Sequence, residues 1–304
     1  MMSLSYINQQ LTIYLGIFLL IIGVIGNGLN ILIFSSTSAY RRTPCAFYFL
    51  ANSVDNILFI GINLISRVVS IGFNFDLTQT SVHWCRARQY FIAVFGLFSF
   101  TCACLTSIDQ FLVTSRKASL RRLSNIKWTH RIVFILIIIC CLHGIPRLVF
   151  FAISSNSNTC VVTNTVYSVY ITVYSLSLTS IGPTIIMIIC GYLTYRNIHF
   201  IRASVDRQLV KMTLYQVLLV FITITPYGIT TSYILITSSM KKDAYQLRNE
   251  NFVLSFVSIL CYFYYCGSFY IFFISSNRFR RTMKAKLLFW QRANQIDPLP
   301  IVAF

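Results

Sequence analysis

Two residues on one apolar stretch mark where chemistry can be organised in this chain. Cys85 opens the run CRARQYFIAVFGLFSFTCACLTSIDQF and Asp109 nearly closes it, with no charge from Gln89 to Ile108. Their 24-residue separation corresponds, on a helix, to a rise of ~36 Å, slightly more than a bilayer's hydrocarbon core. A thiol then stands at one membrane face and a lone acid at the other. The acid is expected to take a hydrogen bond from Gln110 or from a residue of the loop that follows.

A second constellation is polar and lies within apolar runs. Asn52, Asp55, Asn56, Asn63 and Arg67 fall within about 120° of arc at 100° per residue, so one side of their helix must face a protein interior. Ionisable groups inside a membrane are costly and default to a functional reading. Asn27, in GVIGNGLN, and Ser99 complete a candidate polar core with Asp55. Two readings stay open: a site that hydrates a cation, or a hydrogen-bond network without one. Beyond that ion no metal or cofactor is expected. The four histidines are scattered and no nucleophile–base or metal-ligand spacing is found, so the chain is not read as an enzyme. Arg121-Arg122-Leu123-Ser124 has the form of a basophilic kinase site.

The elements that must position these residues follow from hydropathy. Of 304 residues 56% are hydrophobic and only 11% charged, against about 25% charged in an average globular domain. Mean hydropathy is +0.70, so lipid must be the solvent for much of the surface. Seven apolar segments are marked, at about 11–34, 45–71, 84–114, 131–153, 166–195, 209–237 and 252–274. In lipid the backbone must satisfy itself, which predicts an all-α bundle of seven membrane helices over residues 1–275. Residues 276–304 form an amphipathic helix, with Phe279, Met283, Leu287 and Trp290 on one face, and a short tail. The first segment reads as an uncleaved signal-anchor, since no basic residue precedes it.

Basic residues set the orientation. Eighteen of the 25 Lys and Arg fall in alternate loops and the tail, which predicts a multi-pass protein with its N-terminus outside and its C-terminus in the cytoplasm. The net charge of +18 is thus dispersed in short clusters, a pattern that argues against nucleic acid as a partner. Cys85 and Cys160 come to the outer, oxidising face and form the expected disulfide; the other eight cysteines are read as small apolar packing groups. Arg67, Arg86, Arg88 and Arg147 gather at the outer mouth beside Gln89. That cluster suits an acidic or carbonyl-rich ligand, while Arg86 and Arg147 have snorkelling to headgroups as an alternative. Prolines inside three segments, Pro146, Pro183 and Pro226, can kink their helices.

These features in order resemble the rhodopsin-like (class A) G-protein-coupled receptors over nearly the whole chain. Asn27 matches the family's segment-one asparagine, Asp55 the acid of its sodium site, Ser99 that acid's segment-three partner, and Cys85 with Cys160 its disulfide. By that match the cation of the polar core would be a sodium ion. Asp109 falls where the acid of the Asp-Arg-Tyr triplet belongs, and Pro183 and Pro226 match the prolines of segments five and six. The triplet, however, reads Asp109-Gln110-Phe111, so the arginine that contacts G protein is absent. Ile224 stands where segment six usually has tryptophan, and YYCGSFYIFF lacks Asn-Pro-x-x-Tyr, leaving Tyr270 or Phe272 to stand for its tyrosine.

Ile92 occupies the position of the biogenic-amine aspartate, and segment seven has no retinal-binding lysine. The resemblance therefore implies a plasma-membrane receptor of a divergent invertebrate neuropeptide type, similar to FMRFamide receptors. Its ligand, a peptide, is expected to bind near Arg67, Arg88, Gln89 and Ile92. Its cytoplasmic partners would be a heterotrimeric G protein or arrestin, with the activating changes at Asp109, Gln110, Phe111, Pro183, Pro226 and Tyr270. The alternative is a decoy or scaffold of the same fold that does not couple. A transporter or channel is disfavoured, because no internal repeat or ring of acids is found.

Overall fold

The computed structural model describes residues 4–154, 159–197, 204–237, 240 and 242–295. Among these residues seven helices are long and apolar enough to cross a membrane. They are α1 (Leu4–Ser36), α2 (Pro44–Gly72), α3 (Val82–Thr114), α4 (Ile126–Phe150), α5 (Thr165–Asn197), α6 (Ser204–Ile236) and α7 (Ala244–Ser275). An eighth, α8, runs from Asn277 to Gln295. The sequence placed the starts of α1, α4 and α7 later, at about 11, 131 and 252. Hydropathy finds only the lipid-crossing part of a helix, whereas caps set its end. Asn125 accepts from Lys127 N at 2.9 Å and so starts α4 in its polar flank. Asp243 and Gln246 form a capping box that starts α7 one residue later.

The bundle is held by close helix approach and buried aromatics. A Cβ on Gly23 of α1 would come within 2.6 Å of Cys266 Sγ on α7, so glycine is what permits that approach. Of the two glycines flanking Asn27, Gly26 meets Phe269 closely, whereas Gly28 faces open space. Outward faces stay apolar; on α4, Phe134 is 65% exposed and Ile139 53%, as lipid requires. Among the described residues three π-helical turns, Ile60–Leu64 and Val68–Gly72 in α2 and Ser175–Ile181 in α5, rotate the halves of these helices on the Cys85 side of the bundle, called outer for the expected orientation, against the inner halves on the Asp109 side. Pro183 follows the α5 turn, and Pro146 and Pro226 lie within α4 and α6.

After α4 the chain forms a hairpin that hydropathy does not foretell. Strands β1 (Phe151–Ile153) and β2 (Cys160–Val162) pair antiparallel, with Ile153 opposite Cys160. The Cys85–Cys160 disulfide, with Cα atoms 5.7 Å apart, fastens this hairpin to the top of α3. Arg86 Nε donates to Phe151 O at 2.9 Å and adds a second fastening. Arg86 is thus a clamp on the hairpin, where the sequence had offered ligand binding or headgroup contact.

At the opposite end the core is aromatic. Phe272 of α7 lies 4.5 Å from Phe49 of α2, and Phe34 of α1 lies 5.7 Å from both Phe49 and Phe279. Phe279, the first apolar residue of α8, is fully buried in this cluster and not in the headgroup layer. Met283 packs beside it, while the side chains of Leu287 and Trp290 lie outside those described. Gln208, on the inner end of α6, accepts from Ser276 Oγ at 2.7 Å and Arg278 N at 3.2 Å, joining α6 to the α7–α8 corner.

Candidate functional site

Between the outer halves of α2 to α7 lies a cavity of about 360 Å³. Arg67, Arg88, Gln89 and Ile92, singled out from sequence, all line it, together with Arg147 and Ile224. Sequence reasoning missed its aromatic wall of Phe59, Tyr174, Tyr227 and Tyr262. Tyrosines recurring within apolar runs were the available signal, since a buried hydroxyl seeks a polar partner.

The three arginines are positioned differently. Arg67 Nη2 donates to Ser255 Oγ at 2.7 Å and Ser255 O at 2.9 Å, and Ser255 in turn donates to Asn8 at 2.6 Å. Arg147 is buried; its Nη1 reaches Gln89 O at 3.4 Å and its guanidinium lies 5.9 Å from the Tyr174 ring centroid. The Nε atoms of Arg67 and Arg88 are buried without hydrogen-bond partners. Among the described residues no carboxylate lies at salt-bridge distance from any of the three. The acid that feels Arg88 is Asp76, in the loop after α2. Burial works against its carboxylate, but hydrogen bonds from Thr78 and Ser70 and the Arg88 charge outweigh it and hold its pKa below the ordinary value. The cavity therefore presents cationic donors to whatever enters it, with aromatic faces around them.

Deeper in, the polar core differs from its expected composition. Ser99 Oγ lies 2.8 Å from Asn52 Oδ1, 3.2 Å from Asn56 Oδ1 and 3.1 Å from the Tyr264 hydroxyl. Asn27 donates to Gly23 O at 2.8 Å and Tyr265 O at 2.9 Å, and accepts from Asn56 at 3.4 Å. Asn56, not Asp55, thus joins Asn27 to Ser99. Asp55 hydrogen-bonds neither, and its Oδ2 is buried without a partner. The reason is angular: Asn52 and Asn56 are four residues apart and share a face, while Asp55 is turned 100° from Asn56 toward another neighbour. A sodium ion needs hard, preferably charged oxygens. The Ser99 cluster offers neutral groups already bonded to one another, and the Asp55 carboxylate takes no part in it, so these residues do not fit the ion.

At the inner end Asp109 is 5% exposed and accepts from Ser124 Oγ at 2.6 Å. Of the two partners foreseen for this acid, the structure supplies the one from the following loop. Gln110 is buried with its Oε1 lacking a partner, and Phe111 is half-buried. Tyr270 is half-buried and donates to Ile22 O of α1 at 3.1 Å, whereas Phe272 is buried in the aromatic cluster with Phe34, Phe49 and Phe279. Pro183 O lies 3.8 Å from Cys104 Sγ, and Thr230 back-bonds to Pro226 O at 2.9 Å.

No curated protein sequence matches this chain. Residues 26–270, however, match the family model described as 7 transmembrane receptor (rhodopsin family), which spans all but the ends of the bundle. With seven membrane helices, the outer disulfide and the cavity between the helices, the chain belongs to the rhodopsin family of seven-transmembrane receptors.

Proposed function

We propose that this receptor sits in the plasma membrane with its N-terminus outside, binds an extracellular peptide and signals through a heterotrimeric G protein. The observation that carries the ligand class is the outer cavity. Arg67, Arg88 and Arg147 line it without a carboxylate at salt-bridge distance among the described residues. A desolvated guanidinium gains most from a carboxylate or a row of carbonyls, presented here by a peptide end. At about 360 Å³ the cavity takes the end of a peptide, with the remainder at the mouth. The basic loops that flank the inner ends of α3 and α5 support the cytoplasmic orientation.

The test is a peptide library in paired free-acid and amidated forms, read by G-protein activation and by arrestin recruitment. Responses that fall at least about tenfold in Arg67→Ala are expected. Surface-expressed receptor that is silent to every peptide and has no basal signal would overturn the reading.

Gln110 supports a second reading, a receptor of the same fold that does not couple. Its buried Oε1 lacks a partner and it stands in the place of the family's coupling arginine. Gln110→Arg separates the two: a decoy gains coupling, whereas an adapted receptor is unchanged or impaired.

A further inference from the structure

The loop between α3 and α4 carries two basophilic kinase motifs in tandem, Arg116-Lys117-Ala118-Ser119 and Arg121-Arg122-Leu123-Ser124. In both, basic residues stand three and two positions before the serine. Their surroundings differ. Ser119 is exposed on the short helix Ala118–Arg121. Ser124 is half-buried, and its hydroxyl is engaged with the Asp109 carboxylate at 2.6 Å. The chain on either side is also held: Leu123 N donates to Leu120 O at 3.1 Å, and Asn125 caps α4. A kinase needs its acceptor hydroxyl exposed and unengaged, so it has only one short exposed turn to unwind at Ser119, whereas Ser124 must first leave Asp109.

We propose that Ser124 is a phosphorylation site gated by Asp109, modified only when the inner end of α3 lets its hydroxyl go. In the reaction Ser124 Oγ attacks the γ-phosphorus of ATP; the Oγ–P bond forms and the P–O bond to ADP breaks. The hydroxyl proton passes to the kinase's base and on to solvent. The product has no hydrogen left to donate to Asp109, and its charge of about −2 is repelled by the carboxylate. Arg122, exposed, is the nearby guanidinium in sequence that can take the phosphate, with Arg121 beside it once its Nη1 leaves Ser115 O and Arg116 O. Phosphate therefore holds the loop in the released arrangement. By linkage, whatever releases Ser124 promotes its modification to the extent that modification stabilises release. The inference rests on the proposed cytoplasmic placement of this loop, because ATP and kinases are found there.

The test uses the full chain in detergent, where both faces are open to enzyme and the chemistry is read apart from orientation. The catalytic subunit of the cyclic-AMP-dependent kinase with ATP labels the protein, and phosphopeptide mapping follows Ser119 and Ser124 separately. Ser119 should label at one rate in wild type and Asp109→Asn. Ser124 should label about tenfold faster in Asp109→Asn, the gap between a charge-assisted and a neutral hydrogen bond, and Ser124→Ala should remove that signal. If Asp109→Asn does not fold, the wild type suffices: heat-unfolding in the same detergent should raise Ser124 labelling relative to Ser119 severalfold. An unchanged ratio in either comparison, or Ser124 unlabelled in released chains while Ser119 is labelled, would overturn the proposal. Labelling of Ser124 in sealed right-side-out cells by external kinase would instead fault the orientation alone.

Discussion

The two ends of α3 are fastened by bonds of different kinds. Its outer end is held by the Cys85–Cys160 disulfide and by Arg86 on the hairpin backbone. Its inner end, at Asp109, accepts a hydrogen bond from Ser124 of the loop that follows. A covalent tie does not exchange on the timescale of signalling, whereas a hydrogen bond can be broken and remade within a conformational change. One helix can thus serve as a fixed post at its outer end and a releasable contact at its inner end.

Cys160→Ser would break the comparison most severely. Opening a tie between residues 75 apart should cost about 2–5 kcal/mol, seen as a lowered melting temperature in detergent and reduced surface expression. Midway along α3, Ser99→Ala leaves the Asn52, Asn56 and Tyr264 side chains short of a partner. It should cost about 1–3 kcal/mol in the same melt, because buried polar groups lose their compensation.

At the inner end Ser124→Ala should cost about 1 kcal/mol and raise ligand-free second-messenger output, whereas the outer variants lower both stability and output. Unchanged basal output in Ser124→Ala and in Asp109→Asn would remove the distinction between the ends. The smallest effect concerns Asp76 at the outer rim. Its folded pKa lies below the ordinary 3.8, so its stabilisation is complete above that value and is lost as pH falls through the lowered one. Melting at pH 5 should exceed melting at pH 3, and Asp76→Ala should reduce that difference.

Much of this was legible in the sequence because lipid imposes a simple rule on long apolar runs. The seven spans, the cysteine pair and the arginines of the outer mouth follow from hydropathy, compartment and charge placement. What escaped depends on angle and neighbours. A polar arc of 120° is wide enough to face two different helices, so Asp55 could not be told from Asn56 by periodicity. The different burial of Tyr270 and Phe272 likewise follows from the rotation of α7, which no motif supplied once Asn-Pro-x-x-Tyr was absent. The β1–β2 hairpin is too short for a period, and Arg86 became intelligible only with Phe151 O beside it.

The double acceptance by Gln208 has a mechanical consequence. Because one amide oxygen serves both Ser276 and Arg278, the inner end of α6 and the α7–α8 corner share a hinge pin. Swinging α6 outward must surrender both donors together or drag the corner with it. α8 carries Arg278, Arg280, Arg281, Lys284 and Lys286, so anionic headgroups pull on the same corner. A displacement of α8 is then felt at the end of α6 through that one amide, as a load is felt through a lever.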